Sequence, residues 1–150
     1  MKTLNKIFIL LVAMGLSITA CDSDSTSGKE DTEIPSVEAN TQGTTNGNQV
    51  VISNIYSPEA GWIVVHRSNA DGNGPQVPEI IGKTQVEAGV NTNVSIQLKE
   101  GVANNETLWA MLHEDTGEIG TYEFDGQNGL DLPVTFNDKI VMSSFKITQT

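Results

Sequence analysis

Short apolar or alternating segments, separated by turn residues, dominate the chain from residue 48 onward. Within residues 91–98, Val94, Ile96 and Leu98 alternate with polar residues, so that one side is apolar and the other polar. Because successive side chains of a strand point to opposite faces, this pattern is typical of a half-exposed β-strand. Comparable segments bounded by turn residues predict seven strands, at residues 50–56, 61–68, 77–84, 91–98, 107–113, 120–124 and 139–148.

The distribution of these strands predicts the fold class. None of the segments has the apolar period of an amphipathic helix. Segments 61–68 and 107–113 are apolar on both faces, as strands in the middle of a sheet are, and Pro78 marks segment 77–84 as an edge strand. We therefore predict that residues 48–150 form an all-β domain, an immunoglobulin-like antiparallel β-sandwich of about seven strands.

The first 20 residues have the features of an export signal. Two lysines precede an apolar run at residues 7–16, which suits a signal peptide and is too short to span a bilayer. The following residues, Ile18-Thr-Ala-Cys21, resemble the lipobox of bacterial lipoproteins. Cys21 is the one cysteine of the chain, so it has no internal disulfide partner. The resemblance implies a lipoprotein signal peptide at residues 1–20 and lipidation of Cys21; the alternative is an ordinary signal peptide before an unmodified cysteine.

The segment after this cysteine is predicted to be a tether. Residues 22–47 are rich in Ser, Thr, Gly, Asn and acidic residues and contain few apolar ones. Such a segment buries too little surface to offset the entropy of ordering it. Residues 21–47 are therefore predicted to combine the lipidated Cys21 with a flexible acidic linker. This anchor places the protein at the cell envelope, in the inner membrane, the outer membrane or the surface leaflet.

The charge balance narrows the choice of partners. The chain has 8 Lys and Arg residues against 19 Asp and Glu residues, a formal net charge of −11. Such a charge repels phosphate backbones, so no nucleic-acid partner is expected. The predicted partners are a lipid membrane, through acylated Cys21, and an envelope protein or glycan.

Two Trp-x-x-x-His segments contain the candidate chemistry. Because four is an even number, Trp62 and His66 share one face of their predicted strand, as do Trp109 and His113. Met111 and several acidic residues lie close by in sequence. The candidate metal ligands are soft or borderline side chains and a carboxylate: His66, His113, Met111 and Asp115.

A structural interpretation of the same residues is also open. In it, each histidine ends a core strand and hydrogen-bonds a loop or the backbone, and Met111 fills the core. On this interpretation no cofactor is expected. The predicted structural core around the two segments consists of Trp62, Trp109, Leu112, Tyr122 and Phe124.

The sequence contains none of the common catalytic motifs. There is no G-x-S-x-G, H-E-x-x-H, phosphate-binding glycine loop or C-x-x-C. The acidic residues are interpreted as a solvated surface rather than as catalytic pairs, since sequence spacing alone does not place two carboxylates on either side of a substrate. The chain is therefore predicted not to be an enzyme.

A longer pattern resembles a known family. GW-x-V-x-H, followed by TLWAMLH-x-D-x-G-x-x-G-x-YEF, is similar to a domain of unknown function in exported and surface proteins of haloarchaea and bacteria. The resemblance is carried by Gly61, Trp62, His66, Thr107, Leu108, Trp109, Met111, His113, Asp115, Gly117, Gly120, Tyr122 and Phe124. It implies export and a β-domain, and it implies no activity.

These observations predict a lipid-anchored β-sandwich of the cell envelope with a binding or structural role, of the interaction or adhesion type. The first alternative is a periplasmic or surface metal-binding domain that uses His66 and His113. The second is a small envelope hydrolase.

Overall fold

Antiparallel β-strands make up the regular structure of the chain. The computed structural model describes residues 33–46 and 48–149, and these ranges contain no helix. Their strands are β1 (Ser36–Glu38), β2 (Gln49–Ser57), β3 (Gly61–Arg67), β4 (Gly82–Val86), β5 (Gly89–Gln97), β6 (Thr107–Glu114), β7 (Thr135–Phe136), β8 (Lys139–Ile140) and β9 (Met142–Lys146). All pairings between these strands are antiparallel, which confirms the all-β prediction.

Two sheets form the sandwich. The smaller sheet has the order β1-β2-β5, and the larger has the order β4-β3-β6-β9. In immunoglobulin-like domains, strands B and E share one sheet while C, F and G share the other. Here β2 and β5 correspond to strands B and E, and β3, β6 and β9 correspond to strands C, F and G. The prediction of an immunoglobulin-like sandwich of about seven strands is thus confirmed, and β7 and β8 form an additional small hairpin.

The main core lies between the two sheets. The larger sheet contributes the buried residues Ile63, Val65, Leu108, Ala110, Leu112 and Phe145, and the smaller sheet contributes Val50, Ile52, Ile55 and Ile96. Burying one such aliphatic side chain stabilises a fold by roughly 1.5–3 kcal/mol. Because side chains alternate along a strand, the residues between these core positions of β3 and β6 point to the opposite, outer face of the larger sheet.

The edges of the two sheets are joined at two places. On one side, Gly82 at the start of β4 bridges Leu98, which follows β5. On the other side, Gln42 bridges Ile147, which follows β9. The Gln42 amide donates to the Lys146 carbonyl at 3.0 Å, and its carbonyl accepts from the Thr148 amide at 2.8 Å. Each sheet is therefore hydrogen-bonded to the other at both sides of the sandwich.

The ordered domain begins earlier than the sequence predicts. Residues 33–46 fall in the predicted flexible linker, yet β1 pairs with β2. The side chain of Gln42 donates to the Val51 carbonyl and accepts from the Val51 amide, at 2.8 and 2.7 Å. Polar residues are ordered here because their hydrogen-bonding groups find partners in other strands, which composition does not reveal. The linker prediction is wrong for residues 33–46.

Other predictions for the N-terminal region fall outside the described residues. These are the signal peptide at residues 1–20, the lipidated Cys21 and the linker at residues 22–32. Within residues 33–46 and 48–149, no helix is long and apolar enough to cross a membrane.

Three of the predicted strands have different boundaries or are absent. Segment 77–84 is a strand only from Gly82 onward. Pro78 has no amide hydrogen to donate, and the carbonyls of Gln76 and Glu79 contact a histidine ring. Segment 120–124 is a loop, because its amide hydrogens are donated to nearby loop residues rather than to a neighbouring strand: Gly120 donates to the Asp115 carboxylate and Thr121 to the Glu118 carbonyl.

The predicted C-terminal strand is divided in two. Residues 139–140 belong to β8 and residues 142–146 to β9, and Val141 between them is buried. β8 pairs with β7 across the turn residues Asn137 and Asp138, which both have positive φ angles. Two consecutive positive φ angles are typical of a tight hairpin turn.

Candidate functional site

The outer face of the larger sheet contains both Trp-x-x-x-His segments. The side chains on this face are Trp62, Val64 and His66 of β3 and Trp109, Met111 and His113 of β6. Antiparallel pairing sets Trp62 opposite His113 and His66 opposite Trp109, with the pair Val64 and Met111 between them. The centres of the two imidazole rings lie 6.2 Å apart. The strand pairing alone sets the two histidines four positions apart along the sheet, so the orientation of their side chains is what brings the rings together.

Two loops cover this face and exclude solvent from the histidines. Ile80, in the loop before β4, and Tyr122, in the loop after β6, pack against Trp62, Val64 and Met111. The Tyr122 and Trp62 rings meet edge to face, with centres 5.8 Å apart. His66, His113 and Met111 have no solvent-accessible surface. The result is a second, smaller core that contains two titratable rings.

The hydrogen bonds of His66 define its tautomer. Its Nδ1 lies 3.0 Å from the Gln76 carbonyl oxygen and 2.7 Å from that of Glu79. Carbonyl oxygens only accept, so Nδ1 carries the proton and donates to them. The other nitrogen, Nε2, is buried and has no hydrogen-bond partner among the described residues.

His113 has the same arrangement. Its Nδ1 lies 2.7 Å from the carbonyl oxygen of Asp131, so Nδ1 again carries the proton. Its Nε2 lies 3.2 Å from the Sδ atom of Met111. Edge-to-face contacts with Tyr122 and Phe124, at ring-centre distances of 5.6 and 4.9 Å, fix the plane of the ring.

Burial keeps both imidazoles neutral. Desolvation lowers the pKa of His66, and its bonds to backbone carbonyls offset only part of this effect. Desolvation also lowers the pKa of His113 to about 4, because the bond to Asp131 does not compensate for the burial and for the nearby His66. With Nδ1 protonated, each neutral ring therefore has an unprotonated Nε2.

The predicted metal ligands are only partly brought together. His66, Met111 and His113 share one face of the sheet, where Nε2 of His113 contacts the Met111 sulfur and the His66 ring centre lies 6.2 Å from that of His113. Asp115 is used elsewhere, since its carboxylate accepts the amide hydrogen of Gly120 at 2.9–3.1 Å within its own loop. In the described part of the chain, no three His, Cys, Asp or Glu side chains are grouped to hold a metal ion. A site that includes Asp115 is thus not formed.

The predicted structural core also needs correction. Trp62 is buried on the outer face, and Leu112 is buried between the sheets. Trp109, Tyr122 and Phe124 are only partly buried and lie outside the main core. Trp109 is at the margin of the covered face, where its Nε1 donates to the Ser68 hydroxyl at 3.0 Å. Strand periodicity assigned its face correctly but could not show where the covering loops end.

Asp131 organises the covering loop, and the sequence analysis missed it. This residue is fully buried, and its two carboxylate oxygens accept the amide hydrogens of Thr116 and Glu123 at 2.7 and 2.6 Å. Its carbonyl oxygen accepts from His113. The available signal was an acidic residue between two leucines, at residues 130–132, where an unpaired charge would be costly.

Lys83 is a second residue that sequence reasoning did not identify. Its Nζ lies 4.2 Å from the centre of the Trp62 ring and 5.2 Å from that of Tyr122. These are cation–π distances. Desolvation lowers the pKa of Lys83, and nearby Lys99 acts in the same direction. The ammonium group closes the edge of the covered face on the side of β4.

A cleft of about 350 Å³ lies beside His113. It is bounded by the turn between β2 and β3 and by the end of β6. Its lining includes three carboxylate residues, Glu59, Glu114 and Asp115. The cleft thus places three carboxylate residues next to the buried His113.

Comparison with known proteins gives two kinds of match. The chain is similar to cell surface glycoprotein 2 of Haloarcula hispanica, with 32% identity over 104 residues, and to cell surface glycoprotein 1 of the same organism, with 31% identity over 104 residues. Each match covers 69% of this chain and 10% of the relative, so the chain spans about a tenth of the length of these relatives. No solved structure matches the chain.

A family match covers most of the chain. Residues 35–148 match a family described as a domain of unknown function, DUF7282. The match begins next to β1 and ends just after β9, so it contains both sheets and the covered histidine face. The chain belongs to the DUF7282 family.

Proposed function

We propose that this protein is a lipid-anchored module of the cell envelope with a structural or adhesive role, and that it is not an enzyme. In this proposal Cys21 carries the lipid, residues 22–32 form the tether, and the sandwich from residue 33 onward contacts an envelope protein or a glycan. The tether is thus shorter than the sequence alone suggested.

The observation that carries this proposal is the pattern of similarity. Two long cell surface glycoproteins contain a segment similar to this chain, which accounts for about a tenth of each. A domain that forms a small part of long surface proteins is a building block of such proteins, and in this proposal a lipid holds it at the envelope. The lipobox pattern around Cys21 supplies the attachment.

The surface chemistry also supports this proposal. Apart from buried Asp131, every Asp and Glu in the described ranges is at least partly exposed to solvent. A surface of this kind keeps a tethered domain soluble and away from anionic lipid headgroups. The Tyr122 hydroxyl lies 3.5 Å from Nδ1 of His113, but that nitrogen carries a proton and donates it to the Asp131 carbonyl, so it is not the free base that an acyl-transfer enzyme needs.

The anchor is tested by cell fractionation. The full-length chain is expressed in a bacterial host that processes lipoproteins, beside a Cys21→Ser variant. We expect the unchanged chain in the membrane fraction with a lipid mass on its N-terminal residue, and the variant unprocessed or released. Membrane attachment and normal processing of the variant would refute the anchor.

The orientation is tested separately with intact cells. A protease that cannot cross the envelope is added to cells or spheroplasts, and loss of the sandwich is followed by immunoblotting. Degradation without lysis supports presentation outside the cytoplasmic membrane. Protection until the cytoplasmic membrane is broken would contradict an envelope module.

A further inference from the structure

We propose that the Nε2 atoms of His66 and His113 and the Sδ atom of Met111 form a buried binding site for one soft monovalent cation, of which Cu(I) is the representative. This inference goes beyond the envelope role and does not depend on the lipid anchor.

The first argument comes from the nitrogen atoms that are satisfied. Both histidines donate Nδ1–H to backbone carbonyls, His66 to Gln76 and Glu79, and His113 to Asp131. A metal-bound histidine usually donates its second nitrogen to a carbonyl or carboxylate in this way, which fixes the tautomer and the ring orientation. The loops thus hold both rings in the form that leaves Nε2 able to bind a metal.

The second argument comes from the nitrogen atoms that are not satisfied. Nε2 of His66 has no partner among the described residues, although the side chain is fully buried. Nε2 of His113 faces the Met111 sulfur at 3.2 Å, and a thioether has no hydrogen to donate. Buried acceptors without a donor cost free energy and are rare in native structures. One ion shared by the two nitrogens and the sulfur would satisfy all three atoms.

A purely structural role explains less of this geometry. An aromatic or aliphatic side chain would fill the same space between Tyr122 and Phe124 without burying an unpaired nitrogen. The bonds from Nδ1 to the loops account for one side of each ring. They give no reason for the unpartnered Nε2 of His66 or for a thioether beside Nε2 of His113.

The distances match a shared ion. Two metal–imidazole bonds of about 2.0 Å, together with the distance from each ring centre to its nitrogen, span about 6 Å when the rings bind from opposite sides. The observed separation of the ring centres is 6.2 Å. With the sulfur at right angles to that axis, nitrogen and sulfur atoms bound to one ion at about 2.0 and 2.3 Å lie roughly 3.0 Å apart. The observed separation of Nε2 of His113 and Sδ of Met111 is 3.2 Å.

The donor set selects the class of ion. All three donors are neutral, and none of the carboxylates in the described residues belongs to the group. The desolvation cost of a buried ion rises steeply with its charge, so a monovalent ion is favoured over Zn²⁺ or Ca²⁺. Imidazole and thioether ligands with a low coordination number suit Cu(I).

The acidic cleft beside His113 provides an approach for the cation. Glu59, Glu114 and Asp115 line this cleft and give it a negative potential. Because His113 belongs both to the lining of the cleft and to the proposed site, the cleft reaches the His113 end of that site.

The test uses the full-length chain with Cys21→Ser, which removes the only thiol. The protein is purified in mild detergent and titrated with Cu(I) under anaerobic conditions against a chromophoric Cu(I) chelator. We expect one Cu(I) per chain. Met111→Leu should weaken binding by about tenfold or more, and His113→Gln should abolish it. Met142→Leu is the matched control, because Met142 is the partly exposed cross-strand neighbour of Met111; unchanged affinity in this variant would assign the bound sulfur to Met111 and not to its neighbour.

A second measurement does not depend on the variants folding. Long-range proton–nitrogen NMR spectra of the unsubstituted histidines report which ring nitrogens carry protons. Adding one equivalent of Ag(I), a redox-inert analogue of Cu(I), should shift both Nε2 resonances and leave both Nδ1 atoms protonated. Absence of one-to-one binding, unshifted Nε2 resonances, or affinity that survives both Met111→Leu and His113→Gln would overturn the proposal.

Discussion

Lowering the pH from 7.5 to 5.0 should destabilise the metal-free protein. In the folded state the pKa of His113 is lowered to about 4 by burial, from an ordinary value of 6.5. At pH 5.0 the unfolded chain therefore binds a proton at His113 that the folded chain does not bind. Stability is full above pH 6.5 and is lost progressively as the pH falls toward 4.

The magnitude follows from the difference in proton binding. Between pH 6.5 and 5.0, each pH unit costs about 1.4 kcal/mol, so His113 alone accounts for about 2 kcal/mol. The lowered pKa of His66 adds a loss of the same sign. These are the only two histidines of the chain, so few other groups titrate in this range. Against a typical domain stability of about 5–15 kcal/mol, the loss is easily measured.

Urea unfolding at pH 7.5 and 5.0, followed by tryptophan fluorescence with a Cu(I) chelator present, measures this difference. The His113→Gln variant is the control and should lose a smaller amount between the two pH values, whatever its absolute stability. Equal free energies of unfolding at both pH values, or greater stability at pH 5.0, would refute the assignment of buried neutral histidines. Measurements stop at pH 5.0, above the folded-state pKa of about 4 of His113, so that the folded ring stays neutral throughout.

Three further predictions concern packing and the covering loop. Leu112→Ala, in the core between the sheets, should cost about 2–5 kcal/mol in urea unfolding, and a loss below 1 kcal/mol would contradict its burial. Trp62→Ala should lower the free energy of unfolding by about 3–5 kcal/mol, and Trp109→Ala should lower it less because that ring is partly exposed. A larger loss of thermal stability for Trp109→Ala than for Trp62→Ala would contradict the assigned faces. Asp131→Ala should cost at least about 3 kcal/mol, because two charge-assisted bonds to backbone amides are lost. It should also speed amide hydrogen exchange at Thr116 and Glu123, and unchanged exchange there would show that the carboxylate does not hold the loop.

Periodicity was sufficient to predict the central strands and the fold class. The two segments with apolar residues on both faces became β3 and β6, which are neighbours in the middle of the larger sheet. Their shared spacing of four residues also predicted which side chains occupy one face. A pattern that repeats every two residues is a local property, and local properties are what a sequence displays directly.

The parts that failed depend on contacts between distant segments. β1 lies in a polar stretch whose order comes from pairing with β2, and the loop of residues 120–124 is shaped by carboxylates at Asp115 and Asp131. The hairpin turn at Asn137 and Asp138 did have a local signal, because both residue types tolerate positive φ angles. Asp115 was assigned to the histidines by sequence proximity, which does not determine the direction in which a loop turns.

The joining of the sheets at both sides of the sandwich affects how copies of this domain behave at high local concentration. An open sheet edge can accept a strand from a neighbouring molecule, and this is a common first step toward aggregation. Here the bridges from Gly82 to Leu98 and from Gln42 to Ile147 occupy backbone groups that a foreign strand would need. Asn93, with a positive φ angle, also interrupts the open side of β5. Copies crowded together can therefore touch through side chains while each keeps its own strands.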